Sequence, residues 1–158
     1  KEKIKDLKNV AVISQTTLSV NDTAKAINDI KDIIPDATVR NDICYATTNR
    51  QEAVKKIANN CDYFLVIGAS NSSNSLRLVE VAKNYGSKKA ILVEDVDSLN
   101  LNIFEDINNI GITASASSPE ILVEKLLNKL KDNFEIKINE AHYQKEDIYF
   151  KVPQSLKN

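Results

Sequence analysis

Short apolar runs alternate with helical patterns along most of this chain, and this alternation constrains its fold more than any other feature. The apolar runs within residues 9–14, 62–67 and 90–94 have strand length and carry few polar side chains. Continuous apolar runs of this length are typical of strands buried on both faces, as in parallel sheets. Helices between such strands cover both faces. We therefore predict an α/β fold of parallel sheets flanked by helices.

The same patterns place the individual elements. Ser19 is predicted to cap the first helix, with Asp22 completing a capping-box-like pattern and Pro35 ending the helix. Gly86 has the position of a helix C-cap, and Pro119 that of a first helical residue. The predicted strands are 9–14, 37–40, 62–67, 90–94 and 109–113; the predicted helices are 20–34, 50–59, 74–85 and a segment from 118, with a weak helical turn at 103–108.

The last part of the chain has a different pattern. Residues 134–138 and 148–152 alternate apolar and polar side chains on either side of a polar loop, which predicts a hairpin or edge strands. We therefore divide the chain into residues 1–41, residues 42–132 and a C-terminal extended tail at 133–158.

Charge and composition exclude several classes of protein. With 21 basic and 22 acidic residues and a net charge of -1, no overall field attracts nucleic acid or a membrane surface. No apolar run approaches the roughly 20 residues of a membrane helix, and no signal-peptide pattern is present, so we expect a cytoplasmic protein. A disulfide between Cys44 and Cys61 is not expected in that compartment. Because the chain contains no Met and begins with Lys1, we expect it to be a fragment whose beginning is missing.

Four polar segments follow predicted strands and open predicted helices. Since the carboxyl ends of parallel strands share one edge of a sheet, where ligands bind, we expect these segments to lie together. Helix N-termini there offer unpaired N–H groups and partial positive charge to an anion. The segments therefore predict a site for an oxygen-rich, phosphorylated ligand. They are Gln15-Thr16-Thr17-Leu18-Ser19, residues 42–51, Ala69-Ser70-Asn71-Ser72-Ser73-Asn74-Ser75, and residues 113–120.

Cys44 is the candidate reactive thiol. It is predicted in a polar loop between a strand and a helix, where helix N–H groups stabilise a thiolate. The alternative is a small buried hydrophobe, which its polar neighbours disfavour because we expect none of them in the core. Those neighbours are Asp42, Thr47, Thr48, Asn49, Arg50 and Gln51. Cys61, at the entry to a buried strand, is assigned a structural role.

The segment from Asn71 to Ser75 holds more cap-forming residues than one helix start needs. It carries no charge, and uncharged hydroxyl and amide donors suit a diphosphate whose counter-charge comes from helix ends. A flexible serine-rich loop is the competing interpretation.

The other polar candidates favour no metal or acid–base site. His142, the single histidine, is interpreted as a surface residue. Glu94, Asp95 and Asp97 are interpreted as solvated acids with nothing basic beside them. Without a Cys-x-x-Cys pair, neither a zinc site nor an iron–sulfur site can be assembled from this chain alone.

The motifs QTTLS, NDICYATTNRQEAV, SNSSNSLRL and GITASASSPEILV closely resemble the 4-hydroxy-3-methylbut-2-enyl diphosphate reductase family (LytB/IspH type), in order, across about positions 9–130. The resemblance implies an iron–sulfur oxidoreductase that converts this diphosphate to isopentenyl and dimethylallyl diphosphates, the last step of the non-mevalonate isoprenoid pathway. It implies a three-unit, trefoil-like α/β arrangement around a [4Fe-4S] cluster. Residues 1–41 would be the remainder of the second unit and residues 42–132 the third.

The resemblance also implies roles for individual residues. Cys44, in DICYAT, corresponds to one of three cysteines that hold the cluster. Thr16 matches the threonine beside the substrate hydroxyl, a catalytic position, and Gln15 flanks it. Reduced ferredoxin or flavodoxin would donate the electrons. The residues implied to hold the diphosphate are Ser72, Ser73, Asn74 and Ser117.

Two positions depart from the family pattern, and part of its site is absent. Ser115 stands where glycine is usual and Ser118 where alanine is usual; a serine at a glycine position disturbs a turn that needs positive φ. The family's other two cluster cysteines, its diphosphate-contacting histidines and its proton-donating glutamate would lie upstream of Lys1, so we expect no catalysis by this fragment alone. Two alternatives stay open: a stand-alone α/β module that binds a phosphorylated metabolite, and a non-catalytic remnant with a structural role.

Overall fold

Two parallel sheets organise the fold in the computed structural model, which describes residues 4–5, 7–40 and 42–141. The first sheet pairs strand β1 (Ala11–Ile13) with strand β2 (Thr38–Arg40). Helix α1 (Val20–Lys31) connects the two strands. The predicted 9–14 and 37–40 segments are therefore strands, and both are shorter than predicted.

The second sheet has three strands in the order β4–β3–β5, all parallel. Strand β3 (Tyr63–Ile67) lies between β4 (Lys89–Val93) and β5 (Ile110–Ala114). The remaining helices are α2 (Tyr45–Ile57), α3 (Ser73–Asn84) and α4 (Glu120–Asn133), with short 3-10 turns at Ala58–Asn60 and Leu101–Phe104. The predicted α/β fold of parallel sheets flanked by helices is confirmed.

Strand β3 forms the centre of the core, and every one of its residues is buried. Phe64 and Val66 pack with side chains of α2 and α3, whereas Leu65 and Ile67 pack with side chains of α4. Because successive side chains of a strand point to opposite faces, one apolar run fills two helix-covered layers. Each such side chain contributes about 1.5–3 kcal/mol by leaving water. This packing fixes the carboxyl end of β3, from which the chain enters the polar segment before α3.

The helix caps at Ser19 and Gly86 agree with the predictions, whereas α1 ends at Lys31 rather than at residue 34, and Pro119 also differs. Ser19 is the N-cap of α1, and its hydroxyl accepts from the N–H of Asp22 at 3.2 Å. Gly86, at φ +104°, follows α3, and the N–H of Ser87 donates to the Ala82 carbonyl, as in a Schellman ending. Pro119 was predicted as the first helical residue of α4. Its extended backbone (φ -62°, ψ 137°) makes it the N-cap instead.

Strand β1 corrects the prediction that its apolar run is buried on both faces. Ala11 and Ile13 are exposed, and 78% of Ile13 is accessible. Within the described residues, β1 pairs with β2 alone, so too few neighbouring strands and helices are present to cover its faces. An apolar run indicates that a strand tends to be buried, but it does not indicate which other elements pack against its faces.

The structure describes only part of the predicted tail. Residues 135–141 follow α4 without regular structure, and the other predicted strand, 148–152, lies outside the described residues together with His142. The hairpin therefore stays a prediction, as do the division at residues 41 and 132 and the trefoil arrangement. No helix in the described part of the chain is long and apolar enough to cross a membrane.

Candidate functional site

The four polar segments lie at the carboxyl ends of strands, as predicted. Turn 1 (residues 14–19) joins β1 to α1, and turn 2 (residues 42–44) leads from β2 into α2. Turn 3 (residues 68–72) joins β3 to α3, and turn 4 (residues 115–119) joins β5 to α4. Turn 1 is hydrogen-bonded to turn 2 and to the first residue of α3, and turns 3 and 4 meet beside Gly68.

Turn 2 is hydrogen-bonded to turn 1. The N–H of Cys44 donates to the carbonyl of Thr16 at 3.1 Å, and the N–H of Asp42 donates to the hydroxyl of Ser14 at 3.0 Å. Cys44 is the N-cap of α2, and its side chain is exposed and makes no capping hydrogen bond. Cys44 and Thr16 are therefore direct neighbours at the N-terminus of a helix.

Helix α2 begins at Tyr45 rather than near residue 50. Thr47 and Thr48 are β-branched and weaken the local helical preference, which explains why the sequence suggested a later start. Packing overrides that preference, because Thr47 is 3% exposed and Gln51 is fully buried. The prediction that no polar neighbour of Cys44 belongs to the core is therefore wrong for Thr47 and Gln51.

Gln51 joins helix α2 to turn 1 through both ends of its amide. Its Nε2 group donates to the carbonyl of Leu18 at 2.9 Å, and its Oε1 atom accepts from the N–H of Val20 at 3.2 Å. Residues on both sides of Ser19 are thus tied to one buried side chain. No sequence pattern indicates this contact, because glutamine is usually exposed.

Turn 1 also contacts the first turn of α3. The hydroxyl oxygens of Thr17 and Ser73 lie 2.7 Å apart and form a hydrogen bond in which either hydroxyl can be the donor. The pair links the turn after β1 to the first residue of the helix that follows the central strand of the second sheet. Thr17 was predicted only as part of a polar segment, and this contact gives it a specific partner.

Among the described residues, Asn74 is the buried polar side chain with the most hydrogen-bonding atoms left unpaired. It is 6% exposed, and neither its amide nitrogen nor its amide oxygen has a hydrogen-bond partner. The hydroxyl of the adjacent Ser75 is also buried without a partner. Burying an unpaired amide or hydroxyl costs about 1–3 kcal/mol, so native structures rarely leave one there without a reason such as a ligand or ordered water. Asn74 is therefore suited to receive a ligand at the start of α3.

Turn 3 is held by its own cap and by an acid from the neighbouring strand. The hydroxyl of Ser72, the N-cap of α3, accepts from the N–H of Ser75 at 3.3 Å. Glu94, directly after β4, accepts from the N–H of Ser70 at 2.7 Å. Hydrogen bonds from the N–H and the hydroxyl of Ser70 hold the pKa of Glu94 below its ordinary value. Glu94 thus fixes the backbone of turn 3.

The three acids after β4 are exposed, as predicted, but they have partners. The pKa of Asp95 is lowered chiefly because its carboxylate accepts from the N–H of Asp97. The ammonium of Lys125 lies 2.6 Å from the carboxylate of Asp97, so the prediction that nothing basic stands beside these acids is wrong. Helix α4 supplies this lysine, and its packing against the loop could not be read from local sequence.

Turn 4 meets turn 3 beside Gly68. The hydroxyls of Ser115 and Ser118 lie 2.7 Å apart, and that of Ser118 also donates to the carbonyl of Ile67 at 3.0 Å. A Cβ atom placed on Gly68 would lie 2.2 Å from Ser75 Oγ and 3.2 Å from Ser115 Oγ, so these hydroxyls border one glycine. Among the described non-glycine residues only Asn9 has positive φ, so the serine at position 115 causes no backbone strain.

The predicted site residues differ in their exposure. Gln15, Thr16, Ser73 and Ser117 are exposed, Ser72 is half-buried and Asn74 is buried. Turn 1 contacts two of the other predicted site residues, because Thr16 accepts from the N–H of Cys44 and Thr17 is hydrogen-bonded to Ser73. The hydroxyls of Ser72 and Ser73, next to the buried, unpaired amide of Asn74, can bind an oxygen-rich anion without a charged side chain, because helix N–H groups supply positive potential.

Among the described residues, Cys44 is the one candidate for a single thiolate ligand at the polar edge. Within the described ranges, no group of three or more His, Cys, Asp or Glu side chains could hold a metal ion. Burial is the main cause that raises the pKa of the Cys61 thiol. Cys61 lies just before the amino end of β3, and its sulfur is 3.2 Å from the carbonyl oxygen of Ile57, the last residue of α2. Cys61 is therefore structural, as predicted, and is remote along the strand from the polar edge. Cys44, exposed at a helix N-terminus, is suited to be a single thiolate ligand.

The comparisons with known proteins agree on one family. The family described as "LytB protein" matches residues 1–131. The 4-hydroxy-3-methylbut-2-enyl diphosphate reductase of Beijerinckia indica is 46% identical over 156 residues, which cover 98% of this chain and 49% of that protein. The enzyme of the same name from Phenylobacterium zucineum is 44% identical over 96% of this chain and 49% of its own length. The chain thus spans about half the length of these curated relatives.

Solved structures agree with the sequence relatives. The E-1-hydroxy-2-methyl-but-2-enyl-4-diphosphate reductase from Plasmodium falciparum superposes with a TM-score of 0.75 at 33% identity, covering 87% of this chain and 46% of that one. A second structure, described as (E)-4-hydroxy-3-methyl-but-2-enyl diphosphate reductase, the terminal enzyme of the non-mevalonate pathway, gives a TM-score of 0.55 at 28% identity, covering 82% and 46%. The chain therefore resembles about half of each of these enzymes.

Proposed function

Because this chain belongs to the LytB protein family, we propose that it is the C-terminal part of a 4-hydroxy-3-methylbut-2-enyl diphosphate reductase. The relatives that support this proposal carry that name and are about twice as long as the aligned segment. The proposed enzyme is an oxidoreductase of isoprenoid biosynthesis. We expect this chain alone to be inactive, since the remaining site residues would be supplied by the half that these relatives have in addition.

The substrate's diphosphate is proposed to bind at the start of α3. The observation that carries the proposal is the buried amide of Asn74, which has no protein partner. Ser72, Ser73 and Ser117 would add hydroxyl donors, and the N-terminus of the 12-residue α3 adds partial positive charge. A ligand with several acceptor oxygens would satisfy the amide that the fold leaves unpaired.

The reactive end of the substrate is proposed to lie beside turns 1 and 2. Thr16 would contact the substrate hydroxyl, Gln15 would flank it, and Cys44 would be one of three thiolate ligands of a [4Fe-4S] cluster. The hydrogen bond from Cys44 to Thr16 supports this arrangement, because it keeps the two residues adjacent. When bound, the cluster would supply electrons to the substrate.

The overall reaction is proposed to be a reductive dehydroxylation. The carbon–oxygen bond of the substrate's hydroxyl breaks, two electrons and two protons are taken up, and water leaves. The products are isopentenyl and dimethylallyl diphosphates. Reduced ferredoxin or flavodoxin would supply the electrons, and the reaction would take place in the cytoplasm. Within this chain, Thr16 would hold the departing oxygen while Asn74 and its neighbouring serines hold the diphosphate.

Complementation with the other half of a relative tests the proposal. This chain and the N-terminal half of the Beijerinckia indica enzyme would be co-expressed, reconstituted with iron and sulfide without oxygen, and assayed with a chemical reductant. We expect turnover of 4-hydroxy-3-methylbut-2-enyl diphosphate by the pair and none by this chain alone. The Cys44→Ser pair should lose turnover and the visible absorption of the cluster, whereas the Cys61→Ser pair should keep both. Unchanged absorption and turnover in the Cys44→Ser pair would contradict the proposed role of Cys44.

The same experiment separates the reductase from a stand-alone module that binds a phosphorylated metabolite. Such a module would bind inorganic pyrophosphate without the second half and would gain no activity from it. Calorimetric titration of this chain with pyrophosphate, followed by the activity assay of the pair, distinguishes the two functions. Binding together with turnover supports the reductase, and binding with a fully assembled but inactive pair supports the module.

A further inference from the structure

Gln51 is the largest fully buried polar side chain in the described residues, and it lies on the helix that begins at Cys44. A buried amide that makes hydrogen bonds at both ends is costly to disturb, because each lost partner leaves an unpaired group behind. Its two partners, the carbonyl of Leu18 and the N–H of Val20, belong to the end of turn 1 and the start of α1. The contact therefore connects two elements that are distant in sequence.

Gln51 and Cys44 both contact the segment formed by turn 1 and the start of α1. Gln51 follows Cys44 by about two helical turns, so the two positions share one face of the helix. At the upper end of that face, the N–H of Cys44 donates to the carbonyl of Thr16. Two turns further on, Gln51 binds the backbone of Leu18 and Val20. Turn 1 is thus fastened along α2 at two points.

We infer that Gln51 is a positioning residue that sets the distance between Cys44 and Thr16. This inference rests on the proposed function only for the roles of Cys44 and Thr16; the attachment itself is independent of any reaction. Gln51 touches neither substrate nor metal in this assignment. It acts by holding turn 1, so that the residue proposed to contact the substrate hydroxyl stays beside the thiol proposed to bind the cluster.

An amide side chain of this length satisfies both partners while remaining neutral. It offers a donor to the Leu18 carbonyl and an acceptor to the Val20 N–H. A carboxylate at this position would accept only and would bury a charge, and an apolar side chain would leave both backbone groups unpaired. Neighbouring polar contacts cannot replace it, since Lys55 on the next turn of α2 is bonded to Glu52 and Asn21.

The test uses the 158-residue chain itself and the reactivity of Cys44. Gln51→Met keeps the length of the side chain and removes both hydrogen bonds. We expect the rate of Cys44 alkylation by iodoacetamide to rise about fivefold or more, because turn 1 is released from the N-terminus of α2. Hydrogen exchange at the amides of Val20 and Cys44 should accelerate in parallel. Cys61 is buried, so the exposed Cys44 dominates the alkylation signal.

A matched control separates positioning from general loss of stability. Val54→Ala, on the same helix and 1% exposed, removes core packing without touching turn 1. We expect Val54→Ala to lower the melting temperature at least as much as Gln51→Met while leaving Cys44 alkylation close to the wild-type rate. Binding of inorganic pyrophosphate, which uses the start of α3, should be nearly unchanged in Val54→Ala and should fall at most about two- to fivefold in Gln51→Met, because turn 1 also carries the Thr17 contact to Ser73.

The outcomes are distinguishable from those of the reductase proposal. Faster alkylation in Gln51→Met but not in Val54→Ala supports the positioning role, whether or not the complemented pair is active. Equal alkylation rates in wild type and Gln51→Met, or equal acceleration in both variants, would overturn it. Failure of Cys44→Ser to affect the complemented pair would defeat the cluster role of Cys44 and leave the attachment by Gln51 in place.

Discussion

The hydroxyl of Thr17 lies 2.7 Å from the hydroxyl of Ser73, and this contact joins the turns of two separate sheets. Thr17 follows β1 in the first sheet, while Ser73 begins the helix that follows the central strand of the second. Together with the hydrogen bond from Cys44 to Thr16, it brings the proposed iron ligand and the proposed diphosphate donors into one connected group of residues. The two ends of the proposed substrate would therefore be held by neighbouring parts of the same network.

Replacing Thr17 with valine tests whether this contact orders Ser73. Thr17→Val preserves shape and removes the hydroxyl, so we expect pyrophosphate affinity to fall about two- to fivefold and the free energy of unfolding to fall by at most about 1 kcal/mol. Thr17→Ser keeps the hydroxyl and should retain both values. Calorimetric titration and thermal unfolding measure the two effects. Equal affinities for wild type and Thr17→Val would show that Ser73 is ordered without its partner.

Asn74 is expected to be costly to stability and useful for binding. Because its amide is buried without a partner, Asn74→Ala breaks no hydrogen bond and removes an unpaired polar group, so the melting temperature of the unliganded chain should stay level or rise. Loss of hydrogen bonds to a diphosphate should weaken pyrophosphate binding about tenfold or more. Asn71→Ala, at an exposed asparagine of the same segment, is the control and should bind normally. A stable Asn74→Ala chain that binds pyrophosphate normally would remove Asn74 from the site.

Much of the fold was predictable because local chemistry determines it. The apolar run at β3, the serine cap before α1 and the glycine after α3 each satisfy a requirement that nearby residues set. The positions of the four turns followed from the rule that parallel strands share a carboxyl edge. Their side-chain partners were not predictable. Whether Thr17 meets Ser73 depends on how two sheets pack, and no local pattern carries that information.

The errors have the same physical origin. Ile13 was predicted to be buried and is exposed, while Gln51 was predicted to lie outside the core and is fully buried. In both cases the residue type gives the usual environment, and tertiary contacts decide the actual one. The unpaired amide of Asn74 is a further example, because the sequence marks it as a helix-cap type, and only its burial indicates a ligand.

Gly68 is predicted to tolerate no side chain, because turns 3 and 4 meet beside it. A Cβ atom there would lie 2.2 Å from Ser75 Oγ and 2.8 Å from Ser75 Cβ, so Gly68→Ala requires the start of α3 to shift. Overpacking of this kind costs about 1–3 kcal/mol, which thermal or urea unfolding would measure. Ser75→Gly in the same chain removes both close atoms and should recover part of the loss. A Gly68→Ala chain as stable as wild type would contradict the close packing.

Asp62 is predicted to make stability depend on pH in the acid range. Its carboxylate accepts from the ammonium of Lys88 and from the N–H groups of Asn109 and Asn108, and these contacts lower its pKa in the folded state, the bond to Lys88 most strongly. Because the folded pKa lies below the unfolded value of about 3.9, the contribution is fully present above that value. It is lost as the pH falls through the folded pKa.

Asp62→Asn isolates this contribution, because the amide cannot change its charge. We expect the wild-type chain to melt at a higher temperature than Asp62→Asn between about pH 5 and about pH 7, with the gap closing as the solution is acidified below about pH 4. A gap between wild type and Asp62→Asn that stays constant down to about pH 2 would mean that the charge of Asp62 does not stabilise the amino end of the sheet.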